Sequence, residues 1–302
     1  SMRNGHRIFA ALLALVALFS SCGGEQRKYV IGVSQCSDDS WRTKLQQELE
    51  LSTYFNDEVR LVLCSANDDV ERQCRQIDSL VGLNVDLLIV SPQQLDNISS
   101  TIAHATDKGI PVILFDRKSD VKNYTAYMGA DNYRIGRMLG DYAASLLGGQ
   151  GEVVEIAGEH GSSPAIERHN GFADALKAHP GIRTVGYEEG NWKEKSGEDA
   201  MEKILRRLEK ENPDFTISLV FGGNDRMAVG ARSAIERYRS THPQSALAQQ
   251  PPRLLSRHRR PPNARWRHRE SARRHTDGFR HLSHARRRTD AARAEHSQRC
   301  AL

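Results

Sequence analysis

The chain has 302 residues and a formal net charge of +5, but the charge is unevenly placed: residues from Pro251 to Leu302 hold 15 Arg, 6 His, no Lys and 4 acidic residues, a charge of +11 that leaves residues 1–250 at −6. Fifteen arginines in one segment suit phosphate binding by counterion release, whereas the rest of the chain is mildly acidic. The tail, lacking Val, Ile, Tyr, Met and Lys, has too little apolar surface to offset chain entropy, so residues 241–302 are predicted to be an aberrant, disordered segment.

At the N-terminus, Arg3 and Arg7 flank the start of an apolar run, Ile8 to Phe19, and the small pair Ser20-Ser21 precedes Cys22. A charged start, a short apolar stretch and small residues form an export signal, and the run is short of the roughly 20 residues that a membrane span requires. Phe19-Ser-Ser-Cys22 resembles the lipobox of bacterial lipoproteins, which implies a leader over residues 1–22, lipidation at Cys22 and a membrane-anchored protein in the periplasm. Cys36, Cys64, Cys74 and Cys300 form neither CxxC nor CxxH. They carry no metal or redox spacing, and Cys36 and Cys64 are expected as buried free thiols at strand ends.

From Lys28 onward short apolar runs alternate with amphipathic ones. Strands are predicted at Tyr29–Ser34, Glu58–Ser65, Asp86–Ser91, Pro111–Asp116 and Ala126–Gly129, with helices over Ser40–Tyr54, Asp68–Val81 and Asn97–Asp107. A second series follows: helix Tyr133–Leu147, strand Glu152–Ala157, helix Pro164–Ala178, strand Arg183–Glu188, helix Gly197–Glu211, strand Phe215–Phe221 and helix Arg226–Arg237. Nearly continuous apolar strands between helices indicate parallel sheets covered on both faces, and two series indicate two α/β lobes, taken as residues 28–125 and 126–240.

Open sheets of this kind place ligands at the carboxyl ends of their strands. Those positions hold Asp38, Ser40 and Trp41 after the first strand, Asp116 and Arg117 after the fourth, Arg168 one turn into a helix, Trp192, and Asn224. Carboxylates, guanidiniums and an amide suit hydroxyls that both donate and accept, and an aromatic face covers the C–H side of a sugar ring. Each has a plainer use: Asp-Arg as an ion pair, Asn224 as a helix N-cap, Trp192 as core. Only their joint placement at successive strand ends favours binding.

Several motifs occur in order: Val90-Ser91-Pro92, Lys108 to Arg117, Gly129-Ala-Asp-Asn132 with Gly136, Ala165 to Phe172, and Asn224 to Ala228. In these the chain resembles the ribose-binding-protein group of type I periplasmic binding proteins, related to the effector domains of LacI-type repressors, over residues 28–238. Ile31 to Arg42 is similar to the periplasmic sensor domains of hybrid two-component systems from Bacteroidetes. The resemblance implies two Rossmann-like lobes with a monosaccharide, a pentose or hexose, bound between them. It implies contacts from Asp116, Arg117, Arg168 and Asn224, with Trp41 and Trp192 stacking on the ring. Asp38 and Ser40 stand where ribose binders have Asn and Phe, a departure that bears on sugar identity. The partners implied are a sugar and either kinase modules or the permease of an ABC importer.

The same resemblance requires a Val-Gly-Ile-Asp type segment and a return crossover after the Asn224 helix, and neither is legible. Reading the bases for Arg257 to Glu270 one nucleotide later can give GIDALPTPGGGIE, so the tail reads as the missing end of the fold after a one-base slip between about Arg239 and Arg257. On that reading the chain lacks one ligand aspartate, part of the second sheet and the return crossover, and the 302-residue form is expected to be poorly stable and to bind sugar weakly or not at all. A LacI-like nucleic-acid role lacks the helix-turn-helix that such repressors begin with. An enzyme lacks a phosphate loop, HExxH or GxSxG. His160 is read as a loop residue, and the pattern calls for no cofactor and no metal.

Overall fold

The run Leu87–Val90 offers neither face of a strand a polar side chain, so it requires cover on both sides. The computed structural model describes residues 28–256 and the backbone of 297–299, and it buries this run at the centre of a sheet. The first lobe contains β1 (Tyr29–Gln35), α1 (Ser40–Tyr54), β2 (Val59–Ser65), α2 (Val70–Gly82), β3 (Leu87–Ser91), α3 (Ser99–Asp107), β4 (Val112–Phe115) and β5 (Ala126–Met128). The second contains α4 (Asn132–Leu147), β6 (Gln150–Ala157), α5 (Ser163–Leu176), β7 (Gly181–Glu189), α6 (Glu194–Glu211), β8 (Leu219–Gly222), α7 (Asp225–Thr241), α8 (Ala246–Gln249) and β9 (Arg253–Leu255). A last strand, β10 (Ser297–Arg299), returns to the first sheet.

The sheets run β10-β2-β1-β3-β4-β5 and β7-β6-β8-β9, with every pairing parallel. In the first lobe Ile77, Leu80, Ile98 and Ile102 from α2 and α3 cover one face with Val62, Leu88 and Val112. Val33, Leu61 and Leu63 turn to the other face, where Leu49 of α1 packs. In the second lobe α6 and α7 bring Met201, Ile204 and Ala231 onto Val154 and Ile156. Phe172 of α5 stacks on Phe221 of β8, ring centroids 4.2 Å apart. Strand order reverses beside β1 in one sheet and beside β6 in the other, so both crevices open at the strands' carboxyl ends.

Several expectations change. The first lobe's sheet runs past residue 125, because Ala126–Met128 pairs with Ile113–Phe115. The second sheet does not stop at 240: Leu254 and Leu255 pair with Val220 and Phe221, and Leu247, Leu255 and Ser256 are buried. The few leucines of this stretch were hidden by the average of an Arg-rich tail. A three-residue strand, β10, pairs with Leu61–Leu63 of β2, while the chain that leads to it lies outside the described residues; an edge strand needs only main-chain pairing on one side, and Ser-Gln-Arg has no apolar pattern to announce it. The strand expected over Phe215–Phe221 is shorter, with Phe215 and Ile217 buried ahead of β8. Cys36 and Cys74 are free thiols, and Cys36 and Cys64 are buried. Of the tail expected to be disordered, 241–302, the first part is ordered as α8 and β9, while the leader, Cys22 and the rest of the tail fall on residues 1–27, 257–296 and 300–302, outside the described residues. Among the described residues no helix is long and apolar enough to cross a membrane.

Candidate functional site

Short loops after the strands turn directly into capped helices, and this is how the cleft is furnished. After β1, the Asp39 carboxylate accepts from the backbone N–H groups of Trp41 and Arg42 at 2.8 and 3.0 Å, starting α1. That start aims Arg42 inward, where its side chain is only 4% exposed and its Nη2 donates to Asp116 Oδ2 at 2.7 Å. Trp41 stays half exposed beside Phe115, centroids 6.1 Å apart, with the Arg42 guanidinium 4.6 Å from its ring. After β4, Asp116 adopts a left-handed backbone with φ of 62°, a conformation that non-glycine residues rarely take away from functional or tightly held sites. Tyr127 Oη donates to the Asp116 carbonyl at 3.2 Å. Burial, with Glu167 and Asp116 nearby, pushes that phenol up to about 12, so it remains a donor across the physiological range.

Arg117 is buried and donates from Nη1 to the Gln93 carbonyl and to Glu159 Oε2, each at 2.8 Å. Burial works against its charge, but Cys36 and Glu159 outweigh that and its pKa is raised. Below it Gln73, fully buried, ties the strand ends together. It donates to Ser91 O at 2.9 Å and Ser34 Oγ at 3.2 Å, and its Oε1 accepts from Gln93 N at 2.8 Å.

In the second lobe the site rests on an aromatic plate. Asn191 and Trp192 both have left-handed backbones, φ 48° and 63°. The Trp192 ring lies so close to Gly158 that a Cβ there would sit 2.1 Å from it, so only glycine fits. Arg168 crosses this ring at 5.3 Å and is held by Asn132 Oδ1 at 2.9 Å and the Gly223 carbonyl at 2.7 Å. Its backbone is reached by α4 at Gly136, where a Cβ would stand 2.2 Å from the Arg168 carbonyl. Asn224 does cap α7, its Oδ1 accepting from Met227 N at 2.8 Å while its Nδ2 donates to the Trp192 carbonyl at 3.0 Å. The indole Nε1 of Trp192 is buried with no hydrogen-bond partner.

The two halves meet. Glu159 accepts from Arg117 and from Gln93 Nε2. Lys118 Nζ reaches Glu167 at 2.5 Å and its backbone N donates to Ser163 Oγ at 2.7 Å, while Leu95 N donates to Gly161 O at 2.9 Å. At the rim Lys193 Nζ pairs with Asp68 Oδ2 at 2.8 Å, which raises the lysine's pKa. Between these ties lies a cavity of about 350 Å³, within the range of small-ligand sites.

Of the predicted residues, Asp38, Ser40, Arg117 and Trp192 line that cavity, whereas Trp41, Asp116, Arg168 and Asn224 do not. Arg168 and Asn224 hold Trp192, and Asp116 is paired with Arg42. Arg42, Glu159, Lys193 and Arg226 were not singled out, yet Lys193 and Arg226 line the cavity and the other two hold predicted residues. Glu159 sits two residues past β6, a signal available from strand-end position alone. His160 is exposed in its loop and bonds Glu189 at 2.8 Å.

Comparison with known proteins gives a consistent result. The family model of the periplasmic binding protein domain matches residues 31–247. The galactofuranose-binding protein YtfQ of Escherichia coli (strain K12) is 30% identical over 210 residues, covering 68% of this chain and 65% of that protein. The xylitol-binding protein of Mycolicibacterium smegmatis is 30% identical over 206 residues, 68% of this chain and 57% of that one. The chain thus spans less than two thirds of the length of these relatives. Among solved structures, the fructose binding periplasmic domain of a hybrid two component system is 30% identical with a TM-score of 0.65, over 88% of this chain and 99% of that domain.

Proposed function

The chain belongs to the periplasmic binding protein family, and from that premise we propose that it binds a monosaccharide, a pentose or hexose, in the cleft between its lobes as the sensor of a two-component signalling system. The observation that carries this reading is the open cavity at the strand ends, furnished from both lobes with Asp38, Ser40, Arg117 and Trp192. Carboxylate and guanidinium satisfy ring hydroxyls, and the Trp192 ring, which lines the cavity, offers an apolar face. Asp116, Arg168 and Asn224 contribute contacts or hold the groups that do, and Trp41 or Trp192 covers a ring face.

The family has its place in the periplasm, and Cys22 supplies a lipid anchor in this reading. No chemical step is assigned to the chain: closing on a ligand needs only differential contacts between two states, and any kinase activity belongs to modules beyond this chain. The sensor role is supported by the 99% coverage of the fructose binding sensor domain. The curated sugar-binding relatives, among them ribose import binding proteins, favour an alternative, the solute-binding lipoprotein of an ABC importer.

The test is thermal unfolding of the chain with a panel of pentoses and hexoses at millimolar concentration. One sugar should raise Tm saturably, because a ligand that binds only the folded state stabilises it by about 2.7 kcal/mol at a hundred times its Kd. Cooperative unfolding with no shift from any sugar would refute the reading.

A further inference from the structure

Glu159, from the second lobe, bonds the buried guanidinium of Arg117 across the cleft. Its two carboxylate oxygens serve two first-lobe residues, Oε2 accepting from Arg117 Nη1 at 2.8 Å and Oε1 from the Gln93 amide. The groups it meets are deeply placed: the Arg117 side chain is 5% exposed, Gln93 is 2% exposed, and Glu159 itself is 19% exposed. We infer that Glu159 is a clasp that holds the ligand-free protein closed, setting how much of the population is closed before any sugar arrives.

The energetics favour this over a passive contact. Exposed ion pairs such as Lys193–Asp68, with side chains 54% and 36% exposed, contribute little because water competes for both partners. Arg117 is different. Its bond to the Gln93 carbonyl lies within its own lobe, so part of its desolvation is incurred before closure. Closing then adds an ionised acceptor to a guanidinium already short of water, and charge-assisted bonds of this kind are the stronger ones. The Gln93 amide would otherwise be buried with one partner fewer. Gln73 Oε1 fixes the Gln93 backbone from below, so the receiving surface is pre-set.

The consequence is quantitative. Apparent ligand affinity equals the intrinsic affinity scaled by the closed fraction, so a clasp tightens binding without touching the ligand, and a sensor with a strong clasp has a higher output in the absence of ligand. The inference depends on the cleft being hinged and not on which sugar, if any, it binds, so its test uses no sugar.

The experiment is small-angle X-ray scattering of the ligand-free 302-residue chain at low ionic strength. Native protein is compared with Glu159→Ala, Glu159→Gln and the exchange Arg117→Glu with Glu159→Arg. Lys177→Ala, which removes an exposed pair within one segment of α5 and its cap, is the control. Thermal unfolding checks that each variant is folded. The expected result is a larger radius of gyration for Glu159→Ala and Glu159→Gln, a return toward the native value in the charge exchange, and no change in the control. If Glu159→Ala fails to fold, the near-isosteric Glu159→Gln decides alone. Folded Glu159 variants with the native radius overturn the inference, and so does an expansion shared by the control.

Discussion

The two lobes share a parallel, doubly wound plan but hold their halves of the cleft by opposite means. The first lobe uses a buried polar lattice: Gln73, fully buried, links Ser34, Ser91 and Gln93, and Arg42 and Arg117 stand on the same strand ends. The second uses an apolar plate, Trp192 pressed on Gly158 with Arg168 laid across it. A polar lattice in a low-dielectric interior fixes direction, since each member has few alternatives and an unmet partner is costly. A plate fixes a plane and offers a ligand an apolar face. The comparison teaches that one topology leaves the chemistry of its crevice open, to be decided by a few residues after each strand.

The largest effect is expected from Gln73→Ala. It leaves the Ser91 carbonyl and the Gln93 N–H buried with a lost partner, at about 1–3 kcal/mol for each group, and should lower Tm and reduce hydrogen-exchange protection in β1, β3 and the segment around Gln93. Protection in β6–β8 should be unchanged; loss spread equally over both sheets would erase the proposed contrast. Next is Gly158→Ala, whose Cβ would meet the Trp192 ring at 2.1 Å. Overpacking of this kind costs about 1–3 kcal/mol, and displacement of the plate should alter tryptophan fluorescence, a readout that Gln73→Ala leaves alone. An alanine that changes neither Tm nor emission would contradict the close packing.

The smallest effect is a pH dependence confined to the second lobe. His169 bonds the buried Glu155 at 2.9 Å, and that bond, against burial and with the carboxylate's charge, raises the imidazole above its ordinary 6.5. A raised folded-state pKa contributes stability that is fully present below the unfolded value and is lost as pH rises through the folded one. Tm should therefore fall modestly as pH rises from about 6.5 through the raised folded-state value, and Glu155→Gln should flatten that drift. The half-exposed ring keeps the effect small.

Much of the fold was legible because it rests on uninterrupted apolar runs. Leu87–Val90 and Val153–Ile156 have no polar residue placed to suit a one-sided sheet except Glu155, and that one found His169. The N-cap at Asn224 was legible from chemistry alone. What escaped has physical reasons. Arg253–Leu255 pairs by its backbone and two leucines inside an arginine-rich average, and Ser297–Arg299 is an edge strand that needs no pattern. Asp39 caps α1 while its neighbour Asp38 faces the cavity; two adjacent aspartates give the same signal in sequence, and only the turn geometry separates them. Glu159 was passed over because its partner Arg117 is distant in sequence and belongs to the other lobe.

The strand ending at Leu255 and the buried Ser256 also sharpen the frame-shift proposal, since a slip upstream of them would have had to preserve a working fourth strand by chance. The central claim is that this cleft is where sugar binds. It is tested most directly by isothermal titration of the native chain and of Arg117→Ala with the sugar that raises Tm. Arg117 lines the cavity with a buried guanidinium, so its loss should cost about 1.5–3 kcal/mol, a roughly ten- to hundredfold weaker Kd. Equal affinity in native and variant proteins, both folded, would place the sugar elsewhere and contradict the account.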